Sequence, residues 1–282
     1  LSARFESRGD QIESLPMLWS GLELDRDLFQ GSLDTGDYVG LVWYSFLLER
    51  LDGGRQELGP YQLTVYQAEE VPSWFGEGMT YQIFPDRFLR SRVPDPAGMV
   101  GGRWVHQDWE ELPEWRPDQR GEIRNRDFFG GDLLGVMEKL DYLKGLGVET
   151  LYFNPIFEAS ENHRYGTADY DKIDPMLGSN QDFSRLCDEA HRRGMRVMLD
   201  GVFNHVGRGF WAFQEVQKKK WDSPYRDWFH LSFDGDTEYH DGFWYEGWEG
   251  HYELVKLNLR NPAVAEYLFG CIRGWVEEFG VD

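Results

Sequence analysis

From Met79 onward, short apolar runs alternate with amphipathic helical patterns, and this alternation restricts the fold more than any other feature of the chain. Residues 79–84 form an apolar run that ends at Pro85-Asp86-Arg87-Phe88. Asp132 is placed to cap a helix whose positions Leu133, Val136, Met137, Leu140 and Leu143 follow the helical period, and Gly145 and Gly147 end it. A strand is expected over 149–153, running into Asn154-Pro155. A helix with Phe183, Leu186, Cys187 and Ala190 on one face follows, stopped by Gly194, and then a strand over 196–203. Asn261 and Pro262 start a further helix whose apolar stripe is Val264, Tyr267, Leu268, Cys271, Ile272, Trp275, Val276 and Phe279. Gly280 ends it, and Val281-Asp282 reads as the opening of another strand.

Strands joined through helices pair in parallel, with right-handed crossovers. A doubly wound sheet and an eight-stranded barrel both satisfy that rule. Polar residues at the predicted strand ends favour the barrel, whose chemistry lies on that rim. The expected fold class is therefore α/β: the first part of a (β/α)8 TIM barrel, with strands 1–3 and the start of strand 4. A barrel of this kind takes about 250 residues, so the expectation is one that this stretch cannot close.

Residues 1–72 read differently. The run Tyr38 to Leu48 and the run Tyr61 to Tyr66 are β-prone and flank the turn-like Asp52-Gly53-Gly54, as expected for part of a β-sandwich that starts mid-domain. The organisation expected is a partial sandwich over 1–72 and three βα units over 73–205. An inserted domain of irregular structure follows over 206–257, then the third barrel helix and the start of strand 4 over 258–282. Trp211, Trp221, Trp228, Trp244 and Trp248 fall in the insertion, where they either line a cleft or form its small core.

Fifty acidic against 29 basic side chains give a net charge of -21. Such a surface repels phosphate backbones and anionic lipid, and no apolar run is long enough to span a bilayer, so neither nucleic acid nor membrane is an expected partner. Cys187 and Cys271 lie on the apolar stripes of different predicted helices, so buried free thiols are expected. Leu1-Ser2-Ala3-Arg4 lacks the apolar segment of a signal peptide, and the compartment stays unassigned, with the cytoplasm slightly favoured.

The most informative segment is Asp200-Gly201-Val202-Phe203-Asn204-His205, which brings a carboxylate, an amide and an imidazole to one strand end. It resembles the first conserved region of the α-amylase family of glycoside hydrolases. Other segments match that family in order: Tyr81 to Phe88, Gly130 to Leu133, Leu140 to Leu143, Asn154 to Phe157, His163 to Tyr170 and Lys256-Leu257-Asn258. The resemblance runs over 73–282 and is closest to the neopullulanase and cyclomaltodextrinase branch.

The resemblance implies a retaining hydrolase acting on α-1,4 or α-1,6 bonds of maltodextrin, pullulan or cyclodextrin. In it, His163 and His205 would hydrogen-bond the glucose ring and Tyr165 would stack on its face. Asp200 would support the site by pairing with an arginine of the next strand, and Asn204 would close a loop through its backbone. The acids that break the bond, about 5–5.5 Å apart in retaining enzymes, belong to later strands. The chain reaches only Phe279-Gly280-Val281-Asp282. The nucleophile, the acid/base and a third Asp are thus expected after Asp282, no catalytic residue is assigned within the chain, and the chain alone is expected to be inactive. The branch often holds calcium, but Leu89-Arg90-Ser91-Arg92 puts cations where ligands belong. Of that pattern Gly130 and Asp132 remain, so no cofactor is expected. A homodimer of the full-length protein fits the resemblance. Competing functions are a transglycosylase or isomerase of the same family, and a non-catalytic oligosaccharide-binding fragment.

Overall fold

The computed structural model describes residues 2–7, 11–67, 71–94, 102–119, 121, 123 and 125–282, which divide into two compact units, 1–75 and 76–282. The first unit is all β: β1 (Ser2–Ser7), β2 (Gln11–Pro16), β3 (Leu18–Glu23), β4 (Arg26–Gln30), β5 (Gly40–Glu49) and β6 (Arg55–Val65). Strands β2, β1, β5 and β6 form an antiparallel sheet in that order, and β3 pairs with β4 as a separate hairpin. The β5–β6 turn holds because Asp52 Oδ1 accepts from Gly54 N at 2.9 Å while Gly53 takes a left-handed φ of 86°.

The second unit opens with β7 (Met79–Ile83), followed by the two-residue strands β8 (Trp104–Val105) and β9 (Asp127–Phe128). Helices α1 (Leu133–Glu138) and α2 (Leu140–Gly145) lead to β10 (Val148–Phe153). The hairpin β11 (Phe157–Ala159) and β12 (Thr167–Ile173) precedes α3 (Asn180–Arg192) and β13 (Arg196–Leu199). Strands β7, β10 and β13 are parallel, with β10 in the middle. Caps fix where the crossover helices begin. Asp132 accepts from Gly135 N at 2.7 Å, and Ser179 and Asp182 form a reciprocal capping box at the start of α3. Leu133, Val136, Leu140, Leu143, Phe183, Leu186, Cys187 and Ala190 are fully buried against the sheet. Each large one contributes about 1.5–3 kcal/mol by leaving water.

The edge of β13 is lined by Asp282, whose N–H donates to Val197 O at 3.0 Å while its Oδ2 accepts from Val197 N at 3.0 Å. The cysteines Cys187 and Cys271 are free and buried. Among the described residues, no helix is long and apolar enough to cross a membrane.

Three local expectations need correction. The third parallel strand ends at Leu199, short of 203; just beyond it the Phe203 ring packs over Gly201, in the space a side chain there would take. Val276 is 52% exposed and off the apolar stripe, because Trp275–Phe279 winds as a π-helical turn that keeps Trp275 and Phe279 inward. The segment 206–257 is more regular than its composition implies. It holds β14 (His205–Gly207), α4 (Trp211–Lys219), β15 (Leu231–Ser232), β16 (Trp244–Tyr245), β17 (Gly247–Trp248) and β18 (His251–Lys256), before α5 (Pro262–Gly274). Strands β14, β18 and β17 form one antiparallel sheet.

Candidate active site

Polar side chains gather where the parallel strands finish. Gln82 in β7 donates to Asn154 Oδ1 just beyond β10 at 2.8 Å. Asp200 follows β13 and keeps its ladder going one step, its N–H donating to Phe153 O at 3.0 Å. That bond fixes the backbone of Asp200, and its carboxylate then serves two phenols. Tyr165 Oη donates to Asp200 Oδ2 at 2.8 Å, and Tyr152 Oη donates to the same oxygen at 3.0 Å. Burial first, and then the Asp200 charge, push both tyrosines above their ordinary range, so both remain neutral donors.

His163 and Tyr165 reach this rim because of the residue between them. Arg164 turns inward with a φ of 59°, is fully buried, and donates to Asn162 O at 2.8 Å. Its guanidinium lies 5.4 Å from the Phe128 ring and 3.4 Å from Asp174 Oδ2. Asp174 also takes a bidentate pair of 2.8 Å bonds from Arg103, likewise buried. Burial alone would raise the Asp174 carboxyl, but Arg164 and Arg103 more than reverse this and hold it below the usual carboxylate range. The ion cluster anchors Arg164 in the interior, and Tyr165 beside it reaches Asp200.

Tyr165 N–H donates to His163 Nδ1 at 3.1 Å, so a neutral His163 carries its proton on Nε2. Burial, followed by the charges of Arg164 and His205, pushes His163 down to about 4. His205 opens β14, where the Asn204 amide lies 3.1 Å from its Nδ1. The Asn204 backbone carbonyl accepts from Leu257 N at 3.0 Å. Burial lowers His205 as well, with the Tyr165 backbone acting against it. Nε2 of His205 is buried without a hydrogen-bond partner among the described residues. Burial thus favours the neutral form of both imidazoles, one of which has an unmet polar nitrogen.

Backbone contact holds β14 against this loop. A Cβ on Gly207 would lie 2.3 Å from Gly166 O, so only glycine permits the approach. At Gly166, a Cβ would lie 2.5 Å from Glu161 Oε2, another buried oxygen lacking a partner. Burial pushes the Glu161 carboxyl up, against the lowering effects of Ser160 and Arg126. Sequence reasoning missed Tyr152, Glu161 and the Arg103–Asp174–Arg164 cluster. Only Tyr152 had a signal, as a polar-tipped aromatic near the end of an apolar strand.

The remnant of the calcium pattern is committed elsewhere. Asp132 Oδ1 caps α1, and Oδ2 accepts from Ser91 Oγ at 2.6 Å and Ser91 N at 3.2 Å. Gly130, with φ 77°, packs against Pro94 and Arg90. The Arg90 guanidinium takes the neighbouring carbonyls: His106 O at 2.8 Å, Gln107 O at 3.1 Å and Phe129 O at 3.4 Å. Among the described residues no cluster of three or more His, Cys, Asp or Glu could hold a metal.

The tryptophans of the insertion differ in their surroundings. Trp228 is buried and packs with Trp211, Tyr225 and Tyr267, as a local core. Trp221 stacks on Phe233 at 3.9 Å between ring centroids. Trp248 stands beside His205, with ring centroids 5.8 Å apart.

Parallel strands joined by helices, with a polar rim at their carboxyl ends, define an α/β protein of barrel type. Residues 82–282 match the family described as alpha amylase, catalytic domain, and the chain belongs to that family. It is 41% identical over 232 residues to neopullulanase 2 of Thermoactinomyces vulgaris, a match covering 81% of this chain and 37% of that protein. It is 40% identical over 221 residues to the intracellular maltogenic amylase of Bacillus subtilis (strain 168), covering 77% of this chain and 34% of that one. Among solved structures, the type III pullulan hydrolase from Thermococcus kodakarensis is 32% identical with a TM-score of 0.65. That alignment covers 100% of this chain and 50% of the other. The chain thus spans about a third of the length of these two curated relatives.

Proposed function

We propose that the full-length protein hydrolyses α-1,4 or α-1,6 glucosidic bonds of maltodextrin, pullulan or cyclodextrin with retention, and that this chain supplies its glucose-binding rim. In this reading β7, β10 and β13 are the first three barrel strands, Asp282 starts the fourth, 206–257 is inserted after the third, and 1–72 is part of a β-sandwich. His163 and His205 bind hydroxyls of the glucose at the point of cleavage, Tyr165 stacks on its face, and Asp200 and Asn204 hold these groups in place. The nucleophile, the acid/base and the third Asp lie after Asp282, and no metal or cofactor takes part.

One observation carries the reading: the buried, unpartnered Nε2 of His205 beside the neutral His163. A buried polar nitrogen left unmet costs about 1–3 kcal/mol, and a sugar hydroxyl oxygen can accept from the Nε2–H that each imidazole presents, since the Nδ1 of both His163 and His205 is already an acceptor. The names of the relatives, neopullulanase, maltogenic amylase and pullulan hydrolase, support an α-glucan as substrate.

The test is to follow the full-length protein on maltodextrin, pullulan and cyclodextrin by proton NMR of the product. New reducing ends in the α configuration are expected, together with a loss of about 100-fold in kcat/KM for His205→Ala, equivalent to 2.7 kcal/mol. First-formed β product, or no new reducing ends from any of the three, overturns it.

A further inference from the structure

The chain just ahead of His163 is fastened by a residue distant from it in sequence. Asn162 is buried, its N–H donates to Asn125 O at 2.7 Å, and its carbonyl accepts from Arg164 Nη1 at 2.8 Å. Its Nδ2 donates to both Asp127 O at 3.0 Å and Asp127 Oδ1 at 3.1 Å.

Asp127, the first residue of β9, is buried too, and its other oxygen binds a different stretch of chain. Oδ2 accepts from Glu114 N at 2.8 Å, and lies 3.2 Å from His106 Nε2 and 3.5 Å from Arg87 Nη2. His106 is held in turn. Its Nδ1 lies 2.6 Å from Glu111 Oε2, and its ring stacks on Phe129 with 4.1 Å between centroids. One carboxylate thus joins residues 106–114 to the loop before β12, with an oxygen for each. A charged acceptor suits that task, because it makes stronger hydrogen bonds than a neutral one.

The tie bears on His163 because of what surrounds it. Its Nδ1 accepts from Tyr165 N, which leaves Nε2 for a ligand. On the downstream side Arg164 is locked into the interior by Asp174. On the upstream side the lock is Asn162. With both neighbours pinned the imidazole is confined, and a binding group works only when it is held to within about 0.5 Å.

We propose that Asn162 and Asp127 are positioning residues for the site: their bond fixes the chain ahead of His163 and so sets where its Nε2 meets a ligand. That the ligand is glucose rests on the function proposed above; the tie itself does not.

The test labels the full-length protein with carbon-13 histidine and follows His163 by NMR, its signal being the one lost in His163→Gln. The range runs from about pH 7.5 to about pH 5, above its midpoint of about 4. In the wild type the signal should barely move, because burial and the charges of Arg164 and His205 hold the ring neutral. Asn162→Asp keeps the shape of the side chain but sets an oxygen against two oxygens of Asp127. Asn162→Ala is milder, since it removes the tie and spares the bond from the residue 162 N–H to Asn125. In both, the loosened ring meets water and its midpoint is expected to rise by about one unit towards that of a free imidazole, so that the signal titrates visibly by about pH 5. On α-glucosyl fluoride, a single-sugar substrate, kcat/KM should fall about tenfold alongside. A His163 signal as still in both variants as in the wild type overturns the positioning role, even where the melting temperature falls. An unchanged kcat/KM in both variants of an active protein overturns it as well. A wild-type protein that cleaves neither α-glucosyl fluoride nor maltodextrin overturns the hydrolase reading alone, and a shifted His163 signal then still upholds the tie.

Discussion

Tyr165 Oη donates a 2.8 Å hydrogen bond to Asp200 Oδ2, tying the loop before β12 to the end of the third parallel strand. Tyr152 shares that oxygen from the central strand, so one carboxylate gathers three elements. Asp200→Ala leaves two half-buried phenols without their acceptor. A loss of about 2 kcal/mol in stability is expected, at the lower end of what two unmet groups cost. Asp200→Asn keeps an acceptor oxygen but loses the charge, and should cost about half as much. Thermal melting of both variants, with kcat/KM on maltodextrin, checks the order: wild type above Asn, Asn above Ala, in both measurements.

The Arg103–Asp174–Arg164 cluster is buried on every member and holds the loop from below. Removing the central carboxylate strands two guanidiniums in the interior. Asp174→Asn is expected to destabilise by about 3–5 kcal/mol, in the range for breaking a buried pair. Denaturant unfolding measures it. A cost below about 1 kcal/mol would mean that the two arginines find other acceptors and that the cluster does not anchor the loop.

Glu161 Oε2 occupies the space into which a side chain at Gly166 would project. Gly166→Asp would set a second carboxylate against a buried first one, and a cost of about 2 kcal/mol is expected from repulsion and crowding. Glu161→Ser clears the space. The double variant should therefore recover most of the stability lost by Gly166→Asp alone, and a double-mutant cycle gives the coupling directly. Strict additivity would show that the two positions do not compete.

The crossover helices were legible in the sequence because their caps and their apolar period agree, as Asp132 and Leu133 to Leu143 illustrate, although the single helix expected there is broken at Lys139 into α1 and α2. Helix α4 was not, since Phe210 at its start makes no side-chain cap bond and the surrounding aromatic density hides the spacing of Ala212, Phe213 and Val216. The motif stretches identified His163, Tyr165, Asp200 and His205, and the fold brings these to one rim. Asp174 and Arg103 stayed invisible because their pairing joins positions 71 apart, which no local pattern encodes. Tyr152 became a site residue only once the strand carrying it was seen beside Asp200. Local chemistry is written in short windows, whereas the support beneath it is set by topology.

His163 is held down to about 4 by burial and the neighbouring positive charges, against about 6.5 when unfolded. Between those values the unfolded chain binds a proton that the folded one does not, so stability rises with pH across this window and falls as pH drops through it. At most roughly 3 kcal/mol separates the two ends. His163→Gln cannot titrate, and its stability should change less between pH 6.5 and 4 than that of the wild type. His205 shifts in the same direction and leaves a residual slope. Parallel stability curves for wild type and variant across the window would contradict the burial of a neutral His163.

Arg90 donates to three backbone carbonyls, those of His106, Gln107 and Phe129, in the region that corresponds to the calcium loop of the branch it resembles. A guanidinium there brings its own positive charge and five donors, and the nearby Asp132 is committed to Ser91 and to the start of α1. The protein should therefore not draw on a bound ion for its stability. Treatment with EGTA is expected to leave the melting temperature of the full-length protein unchanged, since an ion bound to the folded state alone would stabilise it by mass action and its removal would show. Arg90→Ala should cost about 2–3 kcal/mol, because three carbonyls lose a charged donor at once. Arg90→Lys should recover only part, as a single ammonium cannot reproduce the planar fork. A melting temperature that drops with EGTA in the wild type would mean that an ion is bound despite the arginine. A drop seen only in Arg90→Ala, reversed by added calcium, would mean that the side chain takes the place of the ion.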